Sequence, residues 1–326
     1  MDLLDRFQRG FPLLPRPFGE IARQLGRTEG WVLDTLGDLQ ASGAVSRVGA
    51  VFAPNVVGAS TLAALCVPPG RLEDVAGRVS AHPAVTHNYA RDHAWNLWFV
   101  ATAVTANALD LALQEIATNA DCGAVLDLRL EEEYHIDLGF RLRPGAEGTR
   151  NIVVRPPAAA LDLGRCQRAL VAALSEGLPR VCSPFAALGA RVGMSEEEIL
   201  GQLRTWVDQG VIRRFGIVVR HGELGFHANV MAVWTVPEGE IRNAGTALAR
   251  EPGVTLCYRR RAAPPRWPHN LFCMVHGRSR ASVREVLAGA AERSGVARYA
   301  GAILPTIARF KQRGATCWQP GETGHG

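Results

Sequence analysis

Two stretches carry residues that chemistry would use. The first is Tyr89-Ala-Arg-Asp-His-Ala-Trp-Asn-Leu-Trp-Phe-Val100. The second is Tyr258-Arg-Arg-Arg-Ala-Ala-Pro-Pro-Arg-Trp-Pro-His-Asn-Leu-Phe-Cys-Met-Val-His276. Both read Tyr-x-Arg, a short polar insert, then Asn-Leu-aromatic into an apolar strand. A packed strand has no use for so many Arg, His and Asn before its apolar run. Arginine there suggests anion binding, because its planar fork holds a carboxylate or phosphate bidentately. Histidine there suggests proton transfer near neutral pH. These segments are the candidate active site. The plain alternatives are strand-end arginines paired with carboxylates, satisfied structural histidines, and Asn96 and Asn270 capping turns or strand edges.

The elements that must position these stretches come from a unit written twice. Phe11-Pro-Leu-Leu-Pro-Arg-Pro-Phe18 matches Leu178-Pro-Arg-Val-Cys-Ser-Pro-Phe185, and Gly26, Gly43, Arg47 and Gly49 match Gly193, Gly210, Arg214 and Gly216. Tyr89, Arg91 and Asn96 match Tyr258, Arg260 and Asn270, with a growing offset because the second insert is longer. Duplication and fusion would give an intramolecular pseudo-dimer. Each copy opens with helical periodicity, a glycine turn, a second helix capped by Thr28 or Ser195, and a segment that reads as the hairpin of a wing. Each then alternates as βαββαβ, the ferredoxin-like order. The predicted class is α+β: a tandem winged helix-turn-helix plus ferredoxin-like domain. The expected domains are 1–55, 56–140, a linker at 141–165, 166–222 and 223–326. The last strands are expected at Gly123–Arg129 and Ala297–Leu304. Tyr134-His135 and Phe310–Gly314 follow them, and Arg129 with Glu131–Glu133 reads as a solvated face.

Composition narrows the class of function. The chain has 326 residues, 47% of them hydrophobic and 21% charged, with a net charge of +5, which suits a folded globular protein. Lys311 is the only lysine, and a GC-rich genome would account for most surface arginine. Seven scattered cysteines without a CxxC argue for reduced thiols and against a zinc or iron–sulfur site. No apolar run is long enough to span a bilayer, and the start lacks the order of a signal peptide. A cytoplasmic location, no membrane partner and no resident metal or cofactor are expected.

Winged helix followed by βαββαβ is similar to the Lrp/AsnC layout of small-molecule-sensing regulators. The strings Tyr89-x-Arg-x-His-x-Trp-Asn-Leu-Trp-Phe and Pro268-His-Asn-Leu-Phe-Cys-Met-Val-His-Gly277 resemble the two related subunits of siroheme decarboxylases. Over essentially its whole length the chain looks like a fused form of those subunits, as occurs in heme d1 biosynthesis. The resemblance implies removal of the C12 and C18 acetate carboxyls of siroheme, giving 12,18-didecarboxysiroheme and CO2 without an oxidant. The iron is then part of the substrate. On this reading Arg91, Arg259, Arg260, Arg261 and Arg266 hold substrate carboxylates, with Lys311 and Arg313 as further candidates. Trp95, Trp98, Trp267 and Phe272 flank the macrocycle, and Asn96 and Asn270 contact it. His93 or His269 supplies the proton, with Tyr89 and Tyr258 orienting or donating, and His276 is a possible contact to the substrate iron.

The copies are not equivalent. His93 falls nearest Trp267 and His269 nearest Trp95, so one asymmetric site, or one active and one degenerate pocket, is expected. The second half, with the denser arginine insert, is the favoured catalytic one. Self-association through the sheets is expected, as the Lrp-like fold tends to do. A DNA-binding regulator and a heme-responsive sensor are the competing readings. Against the regulator, Glu29, Asp34 and Asp38 mark one would-be recognition helix and Glu196–Glu198 open the other, where phosphates would be repelled. Specific DNA binding is not expected.

Overall fold

The computed structural model describes residues 2–136, 154–155 and 160–314. Most of the expected linker, Cys317 and the C-terminal tail lie outside them. The first half runs α1 (Asp2–Phe7), α2 (Pro17–Leu25), α3 (Glu29–Ala41), β1 (Val45–Phe52), β2 (Ala59–Leu65), α4 (Leu72–Ala81), β3 (Val85–Arg91), β4 (Leu97–Ala103), α5 (Ala106–Ala120), β5 (Leu126–Leu128) and β6 (Leu130–Ile136). The second runs α6 (Arg165–Glu176), α7 (Pro184–Val192), α8 (Glu196–Asp208), β7 (Ile212–Val219), β8 (Ala228–Trp234), α9 (Ile241–Arg250), β9 (Val254–Arg260), β10 (Leu271–Gly277), α10 (Arg280–Ser294) and β11 (Gly301–Gln312).

Local chemistry sets the helix ends. Pro17 and Pro184 open α2 and α7, where a missing N–H costs nothing. Gly26 and Gly193 close them in the left-handed region, at φ of 64° and 74°. Thr28 accepts from the Trp31 amide, and Ser195 forms a capping box with Glu198. The two helix-turn-helix units share one apolar core that includes Phe18, Leu36, Phe185, Leu203 and Ile217.

The expected wing hairpins are absent. Each segment is a single strand, and β1 finds its antiparallel partner in β7 of the other half. A lone strand leaves its backbone groups unpaired, so pairing across the repeat replaces the hairpin. Gly49 lies directly opposite Gly216 in this ladder. A Cβ at Gly49 would meet the Leu174 carbonyl oxygen at 2.8 Å, and one at Gly216 would meet the carbonyls of Phe7 and Gln8 at 2.5 Å. The C-terminal ends of α6 and α1 approach the ribbon at these two glycines.

The remaining strands form one nine-stranded sheet in the order β5-β2-β4-β3-β11-β8-β10-β9-β6. Its two ends are neighbours in sequence, since only Arg129 separates β5 from β6. The first part of β11 pairs with β8 and the rest pairs with β3 of the other half. Correspondingly, β5 pairs with β2 and β6 pairs with β9. Each half therefore begins its last strand on its own sheet and finishes it on the other's. Helices cover the outer faces. Inner faces from both halves meet in a core that includes Trp98, Leu126, Met231, Trp267, Phe272 and Leu304.

This crossing corrects the expected strand ends. Tyr134-His135 and Phe310–Gln312 lie inside the last strands, and the Glu131–Glu133 run is part of β6. Glu133 is 4% exposed and sits between Arg213 at 3.3 Å and Arg155 at 3.6 Å, so it is not on a solvated face. Glu131 and Glu132 pair with Arg259 and Arg242.

Candidate functional site

The two motif arginines occupy matched places on the inner faces of the sheets. Arg91 closes β3 and donates Nη1 to the Leu304 carbonyl at 2.9 Å. Arg260 closes β9 and donates Nη1 to the Leu128 carbonyl at 2.9 Å. Each acceptor lies just before the bend where a last strand crosses. Each guanidinium also stands over the ring of the motif tyrosine two residues back, at 5.9 Å for Tyr89 and 5.1 Å for Tyr258. No ion pair reaches either arginine among the described residues, and both Nε groups are buried without a partner. Burial lowers both guanidinium pKa values to about 10. The Asp127 charge opposes the fall for Arg260, and a cation with a buried, unspent donor is a ready receiver for an anion.

The two motif histidines approach one another across the pseudo-dimer, and both contact Trp267. The indole is 1% exposed, with its ring 5.5 Å from His93, 4.9 Å from His269 and 5.0 Å from Trp98. His93 Nδ1 accepts from the Trp95 amide at 3.0 Å, which leaves the proton of the neutral ring on Nε2. His269 Nδ1 lies 2.9 Å from Thr235 Oγ1. Burial holds both histidines below their ordinary pKa. Asp92 opposes this for His93, and His93 adds to it for His269. Trp267 Nε1 is buried without a partner. Trp95, half-buried, gives its carbonyl to Trp98 Nε1 at 2.6 Å. Trp98 and Phe272 are core residues.

Several other candidates are committed elsewhere. Both amide faces of Asn96 bond the backbone of Val67, and those of Asn270 bond Val236 in the same way, at 2.8 to 2.9 Å. These asparagines tie the motif to the end of the neighbouring strand, which commits the amide oxygen and one of the two amide N–H donors of each. Arg259 is held by Glu131 and Glu238, each at 2.8 Å. Lys311 donates to the carbonyls of Ser80 and His82 near the end of α4, at 2.5 and 3.3 Å, and burial lowers its pKa. Arg261, Arg266 and Arg313 are exposed. His276 Nδ1 lies 2.8 Å from Thr255 Oγ1.

Tyr89 is different, because it lines a cavity of about 460 Å³. The cavity opens where β11 crosses from β8 to β3, beside the start of α10. Its wall includes Arg278, Arg280, Arg309, His227, Asn229 and Thr306. Thr306 Oγ1 donates to Asn229 Oδ1 at 2.6 Å. Burial raises the Tyr89 pKa, and the charges of Arg91 and Arg309 oppose the rise. The arginines of this wall escaped the motif reading. Arg278-Ser-Arg280 begins one residue past the quoted string, and Arg309 lay beyond the expected end of its strand. A signal was available, since Arg309 and Glu133 reverse charge at matched positions.

Among the described residues no cluster of His, Cys, Asp or Glu could hold a metal ion. None of their helices is long and apolar enough to cross a membrane.

Comparison with known proteins agrees with this architecture. A family described as "AsnC-like ligand binding domain" matches residues 57–135 and 223–311. Another, "Siroheme decarboxylase NirDL-like HTH domain", matches residues 1–45 and 167–213. The chain is 45% identical to the siroheme decarboxylase NirDL subunit of Paracoccus denitrificans, over 96% of this chain and 95% of that protein. It is 31% identical to a siroheme decarboxylase of Hydrogenobacter thermophilus, over 95% and 92%. Among solved structures it is similar to siroheme decarboxylase NirDL in complex with an iron-uroporphyrin III analogue, with a TM-score of 0.70, 27% identity, and coverage of 97% and 93%. Both halves of the tandem fold are spanned by these matches, and the chain belongs to the siroheme decarboxylase NirDL family.

Proposed function

We propose that this chain is a carboxy-lyase that removes the C12 and C18 acetate carboxyls of siroheme, giving 12,18-didecarboxysiroheme and CO2. The observation that carries the reading is the pair of matched arginines, buried Arg91 and half-buried Arg260, whose Nε groups are buried with no partner and which have no carboxylate ion pair among the described residues. A charge-assisted bond there is worth about 1.5–3 kcal/mol, and a flat polyanion supplies several. Arg261 and Arg266 of the exposed insert are further receivers.

The chemistry follows from where charge goes. The C–C bond to the carboxyl carbon breaks, and its electron pair moves to the exocyclic carbon and into the conjugated macrocycle. A proton then adds to that carbon and leaves a methyl group. His269 is the proposed donor, His93 its neighbour and alternate, and Tyr89 and Tyr258 orient the substrate. The protein recovers its proton from water, so no oxidant or further cofactor is consumed. The substrate brings its own iron, and His276 is the candidate contact to it.

Anaerobic incubation with siroheme, followed by mass analysis of the tetrapyrrole, tests the reaction. His93→Ala and His269→Ala assayed in the same way test the donor. Full CO2 release in both variants would remove histidine from the mechanism.

A further inference from the structure

The two corners where a last strand crosses between sheets are related by the repeat. Strand register fixes the correspondence: Arg309 lies opposite Tyr89, and Glu133 lies opposite Tyr258. The caps fix it again, because Ser279 caps α10 and Thr105 caps α5. Arg278 and Arg280 therefore match Val104 and Ala106. At three matched positions, one corner carries arginine where the other carries valine, alanine and glutamate.

The corners also differ in whether they are filled. At β6 the outer edge is taken: Arg155 and Glu133 exchange two backbone hydrogen bonds at 2.9 Å. The Glu133 carboxylate is spent on Arg213 and Arg155. At β11 the matching edge borders the cavity of about 460 Å³. No ion pair among the described residues reaches Arg278 or Arg280, and Arg278 is supported from beneath by the Phe226 ring at 5.4 Å. Arg309 is 3.8 Å from Glu223, with both side chains nearly half exposed, a contact that solvent keeps weak. The first turn of α10 adds its own partial positive charge to the same wall. The bond from Thr306 takes the Asn229 acceptor and leaves the two amide N–H donors.

We infer that this cavity receives the carboxylates of a flat polycarboxylate, with Arg278, Arg280 and Arg309 as the cationic receivers and the Tyr89 phenol as a neutral donor. The mirror corner has been closed by its own ion pairs, so among the described residues one of the two corners is such a receptor. The identity of the ligand as a tetrapyrrole rests on the function proposed above. The receptor itself rests on the cavity and the charge reversal. Several guanidinium groups on one wall suit several carboxylates fixed to one rigid skeleton, and a singly charged ligand would leave most of them unused.

Absorbance titration of the full chain with iron-uroporphyrin III, which bears acetates and propionates, tests the receptor. Iron-mesoporphyrin, which bears propionates only, is the comparison ligand. Arg280→Ala and Arg309→Ala are each expected to weaken iron-uroporphyrin III binding by about 10-fold or more, and to affect iron-mesoporphyrin less. Arg284→Ala makes the same charge change one turn along α10 at an exposed position, and is expected to leave both affinities in place. Wild-type affinity in the Arg280 and Arg309 variants, or an equal loss in Arg284→Ala, would overturn the proposal. Conversion of siroheme by the wild-type chain is followed alongside. Conversion with unaffected variant binding sinks the receptor and spares the decarboxylase. Lost variant binding without conversion does the reverse. Thermal melts of each variant separate a lost ligand from a lost fold.

Discussion

At the scale of single residues, the site combines neutral histidines with unpaired buried arginines. As an acid, His269 acts through its imidazolium form, which burial and His93 both disfavour. The kcat/KM profile for siroheme is therefore expected to rise toward acid, with an apparent pKa below the ordinary histidine value near 6.5. His269→Ala should abolish that limb. His93→Ala should move it upward, because a positive neighbour is removed. A limb that ignores both substitutions refutes the assignment. The same shifts set a stability trend. A histidine lowered in the folded state binds fewer protons there than when unfolded, so stability is complete above about pH 6.5 and declines below it, toward the folded values. Arg91 separates binding from folding. Arg91→Met replaces a buried unpaired cation with an apolar chain of similar length, so the desolvation it relieves offsets the lost bond to the Leu304 carbonyl, worth about 1–3 kcal/mol. The midpoint of chemical denaturation should shift little while siroheme affinity falls. A large loss of stability instead would make Arg91 a structural residue. Residue types in the two motifs were legible from sequence, since Tyr-x-Arg and the histidines stand out from strand composition. Their partners were not. The backbone clasp of Asn96 and Asn270 needs a strand end that sequence does not place beside them.

At the scale of elements, helix ends followed local rules and strand partners did not. Pro17, Gly26, Thr28 and Ser195 act within a few residues of themselves, so their roles could be read directly. The β1–β7 ribbon could not be read that way, because both strands lack the hairpin partner that a wing would supply. The repeated Gly49 and Gly216 were visible, but their cause lies in carbonyls of α6 and α1 that arrive from elsewhere in the chain. This makes a sharp test of the ribbon. Gly216→Ala drives a methyl group into two backbone carbonyls that cannot rotate away, and overpacking of this kind costs about 1–3 kcal/mol. Urea denaturation should register that loss. An unchanged midpoint would mean that α1 does not seat against the ribbon as described. The length of β11 was also hidden. Its second part interrupts its apolar residues with Arg309 and Lys311, so it reads as a tail until β3 is known to pair with it.

At the scale of the whole molecule, duplication has been put to unequal use. The helix-turn-helix units share a single core, which makes them a joint base beneath the sheets. Above that base, one corner keeps an open basic wall while its counterpart is neutralised by Glu133, Arg155 and Arg213. The repeat and the inequality of its motifs were legible from matched residues, but the opposite fates of the two corners emerged only when strand register set Arg309 opposite Tyr89 and Glu133 opposite Tyr258. The crossing strands carry a further consequence for assembly. Each half lends β6 or the end of β11 to the other's sheet, so neither half is complete by itself. A covalent connection raises the local concentration of one half about the other to roughly millimolar, which speeds mutual completion without adding a contact. Severing the chain between residues 136 and 160 should therefore leave the halves co-purifying when produced together, and size-exclusion chromatography of the cut protein reads this. A half produced alone presents a lent strand and a vacant sheet edge, the arrangement that drives swapped homodimers or aggregates. Two separate polypeptides could thus build the same pseudo-dimer, provided each is made in the company of the other.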